Sequence, residues 1–379
     1  MSTHYLLRLL VPALALVGCT QGAPSAPGDP SNPGDPQQPQ GSNPPQLRYD
    51  QPLVYGHSGA PWITDLDGDG HLDMLVEPSP DPALTALYNR GDGSFKSADD
   101  GNFHVGLVAD LNGDGRTDLV GWSSLGAAPL TVEMTQPGGN SSAAESSPSL
   151  PFDLIYNSAD LAAADVDGDG RPEIVVSVSG ATYALVVDGT GNVTSTETLS
   201  STNGLSVAPD LDGDHRAELY SIDGASISIT SSRTGNTWTS AISDCIVRAL
   251  RFADLDGDGN LDLVAAAYAR SDGALHAVTF QSNGDGSFTQ RVDNVIPDGG
   301  LDDIVDIDGD GRPDVAFRTS VGDTEYFAVG DGAFGFKSSS YAVPLPDSNG
   351  DIQFAELNGD GRPDIVLSDG AAIYVLDSM

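Results

Sequence analysis

Three observations in the 379-residue sequence predict an all-β fold, a seven-bladed β-propeller with four-stranded blades and an N-terminal strand closing the last. A nine-residue acidic stretch, first met as DLDGDGHLD at 65–73, is written seven times, its first positions 45, 55, 45, 44, 52 and 50 residues apart. Each copy lies between a short apolar lead and a β-branched run such as EIVVSV or DLVAAA, and a third strand-like piece follows. The 45 glycines, with many Ser, Thr and Asp, supply turns, and no window carries the sustained 3.6-residue apolar stripe of a helix. Repeats of about 40–55 residues made of short strands stack as blades.

From the N-terminus, MSTHYLLRLLVPALALVGC begins polar, with Arg8, and continues as an apolar run from Leu9 to Val17. The run is shorter than the roughly 20 residues a bilayer requires and suits the core of a signal peptide over residues 1–18. Its end, Leu16-Val17-Gly18-Cys19, resembles the lipobox of bacterial lipoproteins. That resemblance implies cleavage before Cys19 and lipidation of Cys19. Thr20 stands where an aspartate marks retention at the inner membrane, so the expected address is the outer membrane or cell surface. The rival is an ordinary secreted protein cut nearby. Residues 19–46 hold eight prolines and four glycines and cannot bury a core. As an extended tether they reach up to roughly 80 Å.

The repeated units fill residues 47–379. After the third strand several units turn through Gly-Asp-Gly: RGDGSF at 90–95, NGDGSF at 283–288 and GDGAF at 330–334. That is the composition of a tight hairpin before a fourth strand. Unit seven runs out at IYVLD, its third strand, while LRYDQPLVYG at 47–56 reads as a strand with no unit of its own. The N-terminal strand therefore supplies the missing fourth strand and zips the ring, protecting the end blades from edge pairing. Of the two cysteines, Cys19 is the expected lipidation site and Cys245 reads as a buried apolar residue, so no disulfide framework is expected.

A formal charge of −39 excludes nucleic acid and anionic membrane surfaces as partners bound through charge. The position of the acids explains much of it. Within a copy numbered 1 to 9, oxygen-bearing side chains occupy positions 1, 3, 5 and 9, with glycine at 4 and usually at 6. Alternating oxygen ligands around a tight turn, with a backbone carbonyl from position 7, is how a flexible loop surrounds calcium. These positions hold 26 of the 55 acids, so nearly half of the acidic side chains sit where a metal would neutralise them. Hard oxygen donors without His or Cys favour Ca²⁺ over zinc or copper, and magnesium demands a tighter octahedron. EF-hands use a related spacing, but here strands flank the loop and position 12 lacks a carboxylate.

The D-x-[DN]-G-D-G-x-x-[DE] loops make residues 50–379 resemble the FG-GAP/VCBS repeat family, whose calcium-loop blades include the integrin α-subunit propeller; Gly59-Ala60-Pro61 echoes the family's second element. The resemblance implies loops between the first and second strand of each blade and up to seven structural calcium ions. Carried over residue by residue, loop one is Asp65, Asp67, Asp69, the His71 carbonyl and Asp73; loop two Asp110, Asn112, Asp114, Arg116 and Asp118. Loop three is Asp165, Asp167, Asp169, Arg171 and Glu173; loop four Asp210, Asp212, Asp214, Arg216 and Glu218. Loop five is Asp254, Asp256, Asp258, Asn260 and Asp262; loop six Asp306, Asp308, Asp310, Arg312 and Asp314. Loop seven is Glu356, Asn358, Asp360, Arg362 and Asp364. Two loops are expected to be weaker. Loop four has His215 at position 6, where glycine's backbone freedom is wanted, and loop seven opens on the longer Glu356.

A fold of this kind does not name its ligand. The expected function is a surface-displayed, monomeric binding or adhesion module for a glycan or protein, tied to the membrane only through its lipid. On the face opposite the loops, Trp122, Tyr268, Arg270 and Arg318 are candidates to stack on or hydrogen-bond a ligand. The alternatives are a propeller-type polysaccharide lyase or hydrolase, and a scaffold in an envelope assembly. Against an enzyme, the six histidines form no ligand spacing and no G-x-S-x-G frames a serine, while carboxylate pairs for glycoside chemistry stay open. Arg90-Gly91-Asp92 is read as turn chemistry.

Overall fold

The computed structural model describes residues 53–378 apart from 56–59, 78–82, 124–129, 137–139, 145–159, 179, 201–205, 272, 297–298, 320–323, 338–340 and 347–349. The signal segment, Cys19 and the tether lie outside the described residues. Leu47–Met379 is one compact unit, and the regular structure of its described residues is entirely strand.

Seven antiparallel four-stranded blades form the propeller. Blade five shows the plan: Cys245–Ala253, Asp262–Ala269, Leu275–Ser282 and Phe288–Ile296 pair in sequence order. Blades one and two share a strand. Phe95–Ala109 pairs through Ala83↔Asn102 with the third strand of blade one and through Phe103↔Ser123 with the second strand of blade two. Blade seven is Asp351–Ala355, Asp364–Ser368 and Ile373–Leu376, completed by Leu53–Tyr55 from the other end of the described chain. The register is Leu53↔Val375, Val54↔Tyr374 and Tyr55↔Ile373, so the ring closes as expected.

The residue pattern follows from the stacking. A middle strand has neighbouring blades on both faces, so it reads as an unbroken apolar run. Asp364–Ser368 is buried along its whole length, and Asp262–Ala269 at all but Tyr268. An outermost strand has water on its rim and reads polar, as in VTSTETLS at Val193–Ser200. The core lies between blades. Leu255, Val264 and Ala266 of blade five pack with Val315, Phe317 and Ala328 of blade six. At the closing seam, Met74 and Leu87 of blade one pack with Val366 and Val375 of blade seven. Cys245 is a buried thiol in the cluster of blades four and five.

Candidate metal centres

Each acidic stretch links the first strand of a blade to the second and wraps its own backbone. In loop one, Asp65 accepts the Gly68 N–H at 2.7 Å and the Gly70 N–H at 2.9 Å. Asp67 accepts from Asp69 at 3.2 Å, and Asp69 from His71 at 2.9 Å. Loops two to six repeat the position-1 bonds, for example Asp254 with Gly257 and Gly259. So tight a wrap needs positive φ at positions 4 and 6, and Gly68 (+80°) and Gly70 (+89°) supply it without a Cβ clash. His215 adopts φ +67° at position 6 of loop four, the left-handed backbone foreseen for it.

Position 9 is different in kind. Asp73, Asp118, Glu173, Glu218, Asp262, Asp314 and Asp364 are all buried. Each accepts the N–H of its loop's second residue, from 2.6 Å (Leu211 to Glu218) to 3.1 Å (Leu111 to Asp118, Ile307 to Asp314). Five of them also accept an N–H near the end of the third strand: Asn89, Thr135, Ser282, Gly330 and Ser378. The acid therefore clamps loop to sheet. Burial pushes Asp73, Asp118, Asp262 and Asp364 to about 6, Glu173 and Asp314 to about 7 and Glu218 to about 8. The backbone N–H bonds oppose this shift, and nearby aspartates add to it.

Five loops fit a cation. Within each, carboxylate oxygens of three or more acids converge to within 4.8 Å of one another. The groups are Asp65, Asp67 and Asp73; Asp165, Asp167 and Glu173; Asp210, Asp212, Asp214 and Glu218; Asp254, Asp256 and Asp262; Asp306, Asp308 and Asp314. Carboxylates this close cannot all ionise without a counter-charge among them. Glu218 keeps a buried Oε1 with no hydrogen-bond partner, an acceptor that a cation would satisfy. Loop four, expected to be weak, thus brings together the largest of these groups, because His215 accepts the left-handed turn. In loop two, Asn112 Oδ1 accepts the Asp114 N–H as a carboxylate does elsewhere.

The position-7 side chains do something the sequence reading missed. Arg216 donates to the Val166 carbonyl of the preceding blade at 3.2 Å, and Arg116 to the Thr135 carbonyl at 3.3 Å. A Cβ on Gly68 would lie 2.8 Å from Arg116 Cγ, and one on Gly168 3.1 Å from Arg216. These arginines lie across the glycine turn of the neighbouring loop. The available signal was arginine at position 7 of five of the seven copies.

The Gly-Asp-Gly hairpins share this end of the blades. Arg90 N–H bonds Ser94 O at 3.0 Å while Asp92 caps Ser94, so the Arg-Gly-Asp triplet is part of a repeat turn. Asn283–Ser287 repeats it.

At the opposite end, the four proposed ligand residues fall on three blades. Trp122 lies in Asp118–Ser123, and its side chain is outside the described residues. Tyr268 is half-buried, with the Arg248 guanidinium 6.0 Å from its ring centre, and Arg270 beside it is exposed. Arg318 is a strut. It grips Asp302 at 2.8 and 3.0 Å and donates to the Gly350 carbonyl of the next blade at 2.6 Å. The buried Glu325 lies 3.8 Å from it, its carboxyl pushed well upward by burial and by Asp302.

A ring of such loops defines the class of protein. The chain belongs to the FG-GAP-like repeat family, whose model matches residues 65–121, 110–176, 165–221, 254–317 and 306–367. The curated proteins hold no match. Among solved structures, an Agrocybe aegerita lectin that recognises non-reducing terminal N-acetylglucosamine is similar with a TM-score of 0.58 and 16% identity, over 83% of this chain and 86% of that one. BBS1N in its complex with ARL6DN is similar with a TM-score of 0.55 and 10% identity, over 87% and 97%. These likenesses are likenesses of fold.

Proposed function

We propose that this protein is a calcium-stiffened propeller displayed on a bacterial envelope from a lipidated Cys19, where it binds a glycan or protein ligand. The convergence of carboxylate oxygens in five loops carries the calcium part of this reading. Calcium there would neutralise acids that otherwise repel, and residues at positions 1, 3, 5 and 9 would hold it. Its role is structural: the loops stand at strand connections, and the position-9 acids are tied to the sheet. Glycans are the first ligand class to test, since a propeller of this fold recognises a terminal sugar.

The test is a glycan array probed with the calcium-loaded chain and with the chelated chain. Retention on a defined set of terminal sugars, lost on chelation, supports the reading. Turnover of a polysaccharide would replace it with the enzyme. An array without hits, together with a stable co-purifying envelope protein, would replace it with the scaffold.

A further inference from the structure

Loop seven departs from the other six in the contacts of three residues, although loop two also has asparagine, Asn112, at position 3. In loops one to six the position-6 N–H donates to the second oxygen of the position-1 aspartate, at 2.7 to 2.9 Å. In loop seven the extra methylene of Glu356 shifts the carboxylate. Its Oε1 takes the N–H groups of Asn358, Gly359 and Asp360 at 3.1, 2.6 and 3.3 Å, and no such bond joins it to Gly361. Its Oε2 is buried with no hydrogen-bond partner. Asn358, at position 3, turns its amide Nδ2 to Asp364 Oδ1 at 3.1 Å. Ser378, from the end of the third strand, aims its hydroxyl at Asp360 (3.1 Å to each oxygen) and at Asp364 Oδ1 (3.1 Å).

The position-5 and position-9 carboxylates are thus met by the protein's own N–H and O–H groups. Such donors do for a buried carboxylate what a cation does. We infer that loop seven is not a calcium site. It is a copy whose position-5 and position-9 acids are hydrogen-bonded internally, with Glu356 Oε2 left as an open acceptor, and the ring takes at most six ions.

Its place in the ring gives this a consequence. Blade seven carries the closing strand, and loop seven stands at the seam with blade one. There Asn89 Nδ2 donates to Leu357 O at 2.8 Å and Gln353 Nε2 to Pro61 O at 2.8 Å. A Cβ on Gly93, in the blade-one hairpin, would lie 3.4 Å from Asn358 Cβ. The seam is held by apolar packing and these bonds. Loss of calcium loosens the other loops and leaves the seam shut.

The inference rests on the calcium reading of the other loops, and the experiment separates the two. Bound calcium is counted by native mass spectrometry on the purified chain. The native chain is expected to carry at most six ions, with the position-5 variant Asp69→Asn of loop one losing one and its loop-seven counterpart Asp360→Asn losing none. The triple variant Glu356→Asp, Asn358→Asp, Ser378→Ala, which gives loop seven the position-1 and position-3 acids of loops one and three to six and removes the Ser378 hydroxyl, is expected to gain one. Seven ions in the native chain, an ion lost on Asp360→Asn, or no gain in the triple variant overturns the inference. A count of zero overturns the calcium reading instead. Hydrogen exchange adds a readout that does not count metal. Chelation is expected to speed exchange at 67–71 and 256–260 and leave 358–361 and 378 unchanged, and equal acceleration at all of them overturns the inference.

Discussion

Asp314 joins Gly330 to Ile307: one carboxylate oxygen accepts the Gly330 N–H at 2.8 Å, the other the Ile307 N–H at 3.1 Å. The carboxylate bridges the loop and the third strand whether or not an ion is bound. Asp314→Asn presents one oxygen and one NH₂ to two backbone donors, so a buried N–H loses its acceptor. The expected loss is about 1–3 kcal/mol. Urea unfolding in chelator and in calcium checks it: the loss should appear in both, whereas a pure metal ligand would show it in calcium alone.

Calcium removal should lower the melting temperature. With a dissociation constant near 10⁻⁴ M and calcium near 10⁻³ M, each site adds about 1.4 kcal/mol. Several such sites on a chain of this length correspond to a fall on the order of 10 °C. Scanning calorimetry with and without chelator measures it, and an unchanged melting temperature would reduce the loops to acidic turns.

Without calcium, stability should depend on pH in a defined direction. The position-9 acids hold their protons more tightly folded than unfolded, with folded values from about 6 to about 8. Their contribution is complete below about pH 4 and is lost as pH rises through that range. Turn aspartates act oppositely. Asp188 is lowered to about 2 by Thr190 and Asn192, so its contribution disappears only as pH falls below about 4. The chelated chain should melt higher at pH 5 than at pH 8, and calcium should flatten or reverse the slope. A pH series of thermal melts with and without calcium checks both parts.

Position 6 offers a paired test of backbone strain. Gly259 has φ +89° with open space, nothing within 4 Å, where a Cβ would stand, so Gly259→Ala is opposed by conformation alone, at about 1–2 kcal/mol. His215 already bears that strain at φ +67°, and His215→Gly should relieve it, offset in part by the greater freedom of glycine in the unfolded chain. Chemical denaturation of the two variants should give opposite signs.

Arg318 and Arg270 separate a strut from a surface group. Arg318→Met leaves Asp302 without its bidentate partner and should cost about 3 kcal/mol. Arg270 is exposed, and Arg270→Ala should leave stability within about 0.5 kcal/mol. Denaturation curves decide this, and of the two only Arg270→Ala is a clean probe for ligand binding.

Much of the architecture was legible because the repeat constrains it at every level. The spacing of the acidic stretches, the apolar run after each and the unpartnered strand at 47–56 all point to one closed ring, and Leu53–Tyr55 does pair with Ile373–Leu376. Other features were not local. Asp99-Asp100-Gly101-Asn102 has the composition of a turn, yet Phe95–Ala109 runs through it as one strand, because pairing with blades one and two overrides local preference. Arg318 read as a surface ligand group, and only the approach of Asp302 and of Gly350 from the next blade makes it internal.

The sequence by itself determined the strand periodicity, the glycine-dependent turns and the oxygen-rich composition of the loops, because these follow from residue type and spacing along the chain. Only the tertiary structure decided what each carboxylate meets. That depends on donors distant in sequence, such as the Asn89 N–H on Asp73 or the Ser378 hydroxyl on Asp360. A buried charge is stabilised by whatever surrounds it in space, so seven similar stretches of sequence become sites of two different kinds.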